Sequence, residues 1–501
     1  MVLLLEYAVF GLLVAVNLFV GLYFSLRRRA YSTGGGSMKD EVFLGSHVLG
    51  ILPLAASSVV SLYSSAGLVA FPAHFYAYGW HTLFLSFASF LFLPLATNVV
   101  VPLLYGLRIT SIFQYIRLRF NKAIALTASA IYIFLSQSCG AISILAASVM
   151  LVKVFNAPLL WCNIAIGLSG TIYTALGGLR GVVWTDCTQF IIIMVAPTAV
   201  FAKIMVDAFS PNSTIQPLSD MDVGMYIGNF MFDLTSDENV WSCLVGASGI
   251  GMYRLCLDQM VVQRIMASRT VKKAQRTVSF GALLLLLPYL TCTLLGIAIT
   301  IWYRGCDPGL SGAIKSIDQI IPHYITTELV SIPGFVGLYL AGVVSAGTST
   351  ISSAINSQAA ILYVDVISPA YKRADEHVLL ITRCTACGLG GKGGDNDERA
   401  GKRIEEALLL SVVSAAPASD TQRPATEAIT TATDSADYIY RRITLDPVSA
   451  TKGAWGVTSP VKLLIYPTLM TENFSTTAIR RIGGTSFGHA TTSYRGYHDS
   501  D

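Results

Sequence analysis

Residues 345–357 read SAGTSTISSAINS and place seven hydroxyl side chains inside an apolar run, residues 332–366, long enough to cross a bilayer. Hydrocarbon penalises every unpaired polar group, so a span of this composition predicts polar partners or a bound ion. At helical spacing Ala346, Ser349, Thr350 and Ser353 fall at i, i+3, i+4 and i+7. One face of the predicted helix therefore offers oxygen ligands to a small hard cation, sodium first. A plainer reading is open to the same residues: hydroxyls that return to carbonyls one turn back, or that join neighbouring helices.

Outward from this stretch, the composition excludes an ordinary soluble protein. Of 501 residues, 53% are hydrophobic and 13% charged, and mean hydropathy is +0.59. Nine apolar segments are predicted to span, at residues 3–26, 48–71, 79–105, 123–152, 158–176, 181–206, 239–266, 278–303 and 333–363, each near or above the roughly 20 residues a spanning helix needs. The first has no basic residues before it and is closed by Arg27, Arg28 and Arg29, which reads as a retained anchor. Lys and Arg placement predicts an outside N-terminus: fourteen basic residues before residue 370, Arg264 among them, then fall on the inner side and four on the outer. Arg254 alone is left within a span. The sequon Asn212-Ser213-Thr214 falls in an outer loop, where a glycan could be added. A net charge of +4 serves topology and implies no nucleic-acid partner. The nine cysteines are scattered, mostly within spans, and Cys384 and Cys387 lack the further ligands a zinc site needs. No ATP-binding loop or nucleophile arrangement points to an enzyme or a primary pump.

Three further stretches are specific. Residues 177–189 read GGLRGVVWTDCTQ, a glycine break followed by a span that carries Asp186 and Gln189 into the membrane. Residues 257–269 read LDQMVVQRIMASR, and residues 54–79 read LAASSVVSLYSSAGLVAFPAHFYAYG. With the hydroxyl-rich span and its exit ILYVDVISP, residues 361–369, these resemble the sodium/solute symporter family, and most of all its animal multivitamin and monocarboxylate branches. The resemblance runs from about residue 2 to about residue 372. It implies an all-α polytopic membrane protein with a five-plus-five inverted repeat, preceded by an extra first helix, with broken helices beside a midplane site. The residues themselves support two breaks, one in the serine-rich 57–67 and one in the glycine run 246–251.

Carried over residue by residue, the resemblance implies a sodium site made by the side chains of Ser349 and Thr350, the carbonyl of Ala346, and carbonyls at Val60 and Tyr63, or at Ser61 and Ser64 if the count slips by one. A second sodium would use Asp186, Ser352 and Ser353. Asp186 could equally cap the sixth helix after the glycine turn. Gly67 stands where the family commonly places a substrate-touching glutamine. Arg254, close to the glycine break, is expected to bind a substrate carboxylate or to pair with Asp258 one turn on. The resemblance thus implies sodium-coupled import of a small organic anion, a monocarboxylate or a vitamin such as biotin or pantothenate, across the plasma membrane.

The composition changes at residue 370. From there to 501 the chain holds 15 basic and 15 acidic residues and no predicted span, the best apolar run, residues 407–418, being too short to cross. Residues 1–369 read as the transmembrane domain and 370–501 as a divergent, disordered cytoplasmic tail. On this reading the second repeat is incomplete, and the alternative is a non-transporting membrane protein that associates with a full-length partner.

Overall fold

Caps and glycines decide where the helices of this chain start and stop. The computed structural model describes residues 2–27, 38–210, 239–329, 332–370 and 377–393, with a few positions between 216 and 235. All regular elements among them are helical. The main ones are α1 (Val2–Arg27), α2 (Ile51–Leu62), α3 (Ser65–Tyr78), α4 (Lys122–Phe155), α5 (Leu159–Ala208), α6 (Gln259–Met266), α7 (Val271–Tyr303), α8 (Phe335–Ile361) and α9 (Val378–Gly393). Side chains satisfy the exposed N–H groups at several starts: Asn121 accepts from Ile124 N at 2.8 Å and Thr270 from Lys273 N at 3.3 Å. The long α5 contains two spans, because Gly178 at φ 55°, ψ −162° adopts a backbone closed to other residues. This is the break expected from the GGLRG turn.

Both expected discontinuities exist, one of them displaced. In the second span the backbone is extended at Tyr63 and Ser64, separating α2 from α3, and Ser64 caps the new helix by accepting from Gly67 N at 3.3 Å. In the seventh, the chain opens at Asp258 (ψ 127°), which caps α6 by accepting from Met260 N at 3.0 Å. The glycine run, read as the break, is instead helical over Ser248–Met252, flanked by wide π turns at Ser242–Gly246 and Tyr253–Leu257. Gly251 serves packing: an added Cβ there would lie 3.1 Å from the backbone of Ser89.

Six described helices are long and apolar enough to cross a membrane. The Gly178 break divides α5, and the second and seventh spans are divided by their own breaks, so the expected spans are represented by six long helices and these divided pieces. The least apolar, residues 335–367 with a hydropathy of 1.4, is also the most enclosed: 89% of its span is buried, against 11% for α1. Burial among other helices is what allows α8 its hydroxyls. α9 lies beyond the compositional boundary at residue 369, yet it packs on the bundle. Val378 and Ala386 are buried, and Gln137 Nε2 donates to Leu389 O at 3.2 Å. Asn212 and residues 394–501 lie outside the described residues.

Although mostly exposed, α1 is tied to α8 at two levels. Glu6 is 3% exposed and accepts from Gly334 N at 2.6 Å and Gly337 N at 2.5 Å, a carboxylate at the N-terminus of the hydroxyl-rich helix. About three turns further along α1, Asn17 Nδ2 donates to Ser345 Oγ at 3.1 Å. A Cβ at position 337 would sit 2.4 Å from the Glu6 carbonyl oxygen, so the approach requires glycine. Replacing Glu6 by Gln removes the charge facing those N–H groups and is expected to cost about 1–2 kcal/mol, read as a lower melting temperature of the detergent-solubilised chain; an unchanged melt would remove Glu6 from the packing of α8.

In the loop after α7, Tyr76 O–H donates to Asp307 Oδ2 at 2.6 Å. That bond, with backbone N–H groups of Leu310 and Gly309, holds the Asp307 carboxyl below its usual 3.8. A depressed carboxyl stabilises the fold above its ordinary pKa and loses that contribution as pH falls through the folded value. Tyr76→Phe should therefore narrow the difference between melting at pH 7 and at pH 3, measured side by side with the parent chain.

Candidate cation and solute site

The hydroxyls of α8 divide between the two readings open to them. Thr350 Oγ1 donates to Ala346 O at 3.0 Å, Ser352 Oγ to Ser349 O at 2.9 Å and Ser357 Oγ to Ala354 O at 2.9 Å, all within the helix. The others reach across it. Ser349 Oγ donates to Asp186 Oδ1 at 2.7 Å, Ser353 Oγ lies 2.8 Å from Ser61 Oγ, and Thr348 Oγ1 accepts from Gln189 Nε2 at 3.0 Å. The face of α8 that reads i, i+3, i+4, i+7 therefore points into a polar seam between α2, α5 and α8.

Asp186 anchors that seam. It lies two turns beyond the Gly178 break, inside the helix and 0% exposed, so it does not cap the sixth span. Ser57 Oγ donates to its Oδ2 at 2.5 Å and Arg264 Nη2 to the same oxygen at 3.0 Å. Arg264, counted among the inner-loop cations from the sequence, is fully buried instead, because α6 turns back into the bundle after Asp258. All eight residues of α6 are buried, and the motif D-Q-x-x-V-Q-R turns out to be a set of ties. Asp258 Oδ1 accepts from Tyr132 O–H at 2.9 Å, Gln259 accepts from Ile112 N at 2.9 Å and donates to Thr110 O at 3.0 Å, and Gln263 Oε1 accepts from Asn356 Nδ2 at 3.0 Å. Sequence alone did not mark Ser57 or Arg264 as site groups and offered Ser61 only as an alternative carbonyl ligand; the available signal was Gln259, Gln263 and Arg264 together in one short segment, too polar for lipid.

The break in the second span positions the remaining candidates. Hydrogen bonding in α2 ends with Tyr63 N donating to Val59 O, so the carbonyls that follow have left the ladder. Arg254 Nη1 donates to one of them, Leu62 O, at 3.2 Å. Arg254 is half-buried, and Asp258, the partner open to it, accepts from Tyr132 and caps α6 while its charge also acts on Arg254. Val60, Tyr63 and Ala346 share one buried cluster. Gly67 stands on the first turn of α3 beneath the Phe71 ring, 3.4 Å from where its Cβ would be. Tyr63 also approaches it, and the rings of Tyr63, Phe71 and Tyr289 pack together with centroids 5.4–6.5 Å apart. An aromatic wall and a partly exposed guanidinium thus flank the same break.

A sodium:solute symporter family match covers residues 42–387. The chain belongs to the sodium:solute symporter family. The family match runs past the boundary near residue 372 and takes in most of α9. Among relatives of this symporter-family chain, the human sodium/iodide cotransporter is 29% identical over 376 residues, covering 75% of this chain and 58% of the relative. Mouse sodium-coupled monocarboxylate transporter 1 is 30% identical over 378 residues, 75% of this chain and 60% of its own length. The rabbit sodium-dependent multivitamin transporter is 28% identical over 408 residues, 77% and 60%. The chain therefore spans about 60% of the length of the curated relatives it matches. A solved structure of a Na+-coupled sialic acid symporter in a substrate-bound outward-open state superposes with a TM-score of 0.67 at 22% identity, over 82% of this chain and 84% of the other. That superposition shows the inverted-repeat transporter fold.

Removing one partner of a buried ion pair strands the other, at about 3–5 kcal/mol. Asp186→Leu is expected to destabilise the chain on that scale, while Asp186→Leu with Arg264→Met should cost clearly less than the two single changes summed; additive melting shifts would show the pair to be uncoupled.

Proposed function

We propose that this chain is a sodium-coupled symporter that imports a small organic anion, of the monocarboxylate or vitamin class, across the plasma membrane, with its N-terminus outside. The observation that carries the reading is the broken second span, whose residues Val60 and Tyr63 at the break belong to the same buried cluster as Ala346 of α8. Sodium would take oxygen from Ser349, Thr350, Ala346, Val60 and Tyr63, the mixture of hydroxyls and carbonyls a hard monovalent cation favours. Asp186, with Ser352 and Ser353, would serve a second sodium. Arg254 would meet the carboxylate: its bond to Leu62 O uses one of five N–H donors. Gly67 and its aromatic neighbours would leave room for, and cover, the solute's apolar part. Asn212 would carry a glycan outside.

No covalent chemistry is needed. Sodium entering down its gradient stabilises the state that binds the anion well, and each ligand raises the other's affinity by the same factor. Release follows when one repeat rocks against the other. Two sodium ions with one monovalent anion would move one net positive charge inward per cycle.

The experiment is sodium-dependent uptake of labelled biotin, pantothenate, lactate and iodide in cells expressing the chain, with surface biotinylation alongside. Thr350→Ala and Ser349→Ala should abolish uptake and Arg254→Gln should abolish uptake of the anions, all three retaining surface protein. Surface protein without any uptake in the parent chain would replace this reading with that of a non-transporting membrane protein.

A further inference from the structure

Arg264 spends nearly its whole hydrogen-bonding capacity on four different elements. Nε donates to Ser57 Oγ at 2.6 Å, Nη2 to Asp186 Oδ2 at 3.0 Å and to Ser353 Oγ at 2.7 Å, and Nη1 to Met260 O at 2.6 Å. Both Arg264 and Asp186 are 0% exposed, the only described ion pair of which this is true. Two of these acceptors, Asp186 and Ser353, are ligands assigned above to a second sodium. Ser57 Oγ, which also donates to Asp186, is held by the same guanidinium.

We infer that Arg264 is a tethered cation occupying the second sodium site in this conformation, and that sodium and the guanidinium compete for Asp186. The inference rests on the reading of Asp186 and Ser353 as sodium ligands. Space and charge both make the occupants exclusive. The serine lone pairs and the carboxylate oxygen that an ion would use already face N–H donors. Asp186 with Arg264 is neutral, so adding sodium beside the seated guanidinium would leave a net positive charge at Asp186, a costly state in a low dielectric.

The exchange would have a mechanical consequence. Arg264 belongs to α6, the short half-helix after the Asp258 break, whereas its partners belong to α2, α5 and α8. While the guanidinium is seated, α6 is tied to both halves of the bundle. When sodium replaces it, that tie is released and the neutral balance at Asp186 is kept. The second ion thus acts as a switch on α6 in addition to being cargo.

The test is the thermal melt of the purified full chain in detergent, in sodium chloride against choline chloride at equal ionic strength. The variants are Arg264→Gln, Arg264→Lys, Thr350→Ala, and Arg264→Gln combined with Asp186→Asn or with Thr350→Ala. Arg264→Gln leaves Asp186 without a cation, so it should melt several degrees lower than the parent in choline and recover saturably with sodium, a larger sodium shift than the parent shows. The gain should persist with Thr350→Ala and vanish with Asp186→Asn. Arg264→Lys, a weaker competitor without the planar fork, should show a sodium shift between the two, and it decides the question if Arg264→Gln cannot be recovered. Sodium shifts in both Arg264 variants equal to the parent's, with the parent's own shift removed by Thr350→Ala, would overturn the tethered cation and leave the symporter reading standing. No sodium shift in the parent or in any variant would remove both.

Discussion

A helix with seven hydroxyls cannot face lipid along its length, and the arrangement of this bundle follows from that exclusion. α8 is surrounded by α1, α4 and α5 and approached by both broken spans, so that the least apolar crossing is the best covered. Its polar groups are then answered in layers. Asn17 meets Ser345, Gln189 meets Thr348, Asp186 meets Ser349, Arg264 meets Ser353 and Asn356 meets Gln263. The partners come from three separate helices, α1, α5 and α6, so the hydroxyl stripe works as the register against which the other helices are aligned.

Broken helices do complementary work. Ending α2 at Tyr63 frees carbonyls toward the interior, and starting α6 at Asp258 turns a half-helix with a buried arginine back into the bundle. The first leaves a carbonyl, Leu62 O, that Arg254 meets, and the second carries Arg264 against the hydroxyls of Ser57 and Ser353. Polar backbone at membrane depth is tolerated here because protein, and not lipid, surrounds it.

Much of this was legible in the chain itself. Hydropathy located the apolar runs, six of which stand as long helices among the described residues, since a crossing needs a run of about 20 apolar residues. The GGLRG turn and the serine-rich break were also visible, because a glycine with forbidden φ/ψ and a serine cap leave direct marks. The seventh span misled: three glycines suggested a break, but the run is helical, Gly251 packs closely on Ser89, and the opening is made by an aspartate that caps the following helix. Arg264 was misplaced for a related reason. Charge counting along a chain assigns every terminal arginine of a span to water, and only the turn at Asp258 reveals that this one faces inward. The compositional boundary at residue 369 also passed over α9, whose glycines and threonines lower its hydropathy while Gly390 allows it to lie against Thr171.

The contacts of Glu6 have a consequence in time. Its two N–H partners lie 328 and 331 residues further along the chain. A ribosome threads the first helix into the membrane long before the ninth crossing exists, and a carboxyl on an otherwise apolar segment spends that interval without the groups that will receive it. The earliest helix is thus among the last to be settled, and the order of synthesis is the reverse of the order in which its one buried charge is satisfied.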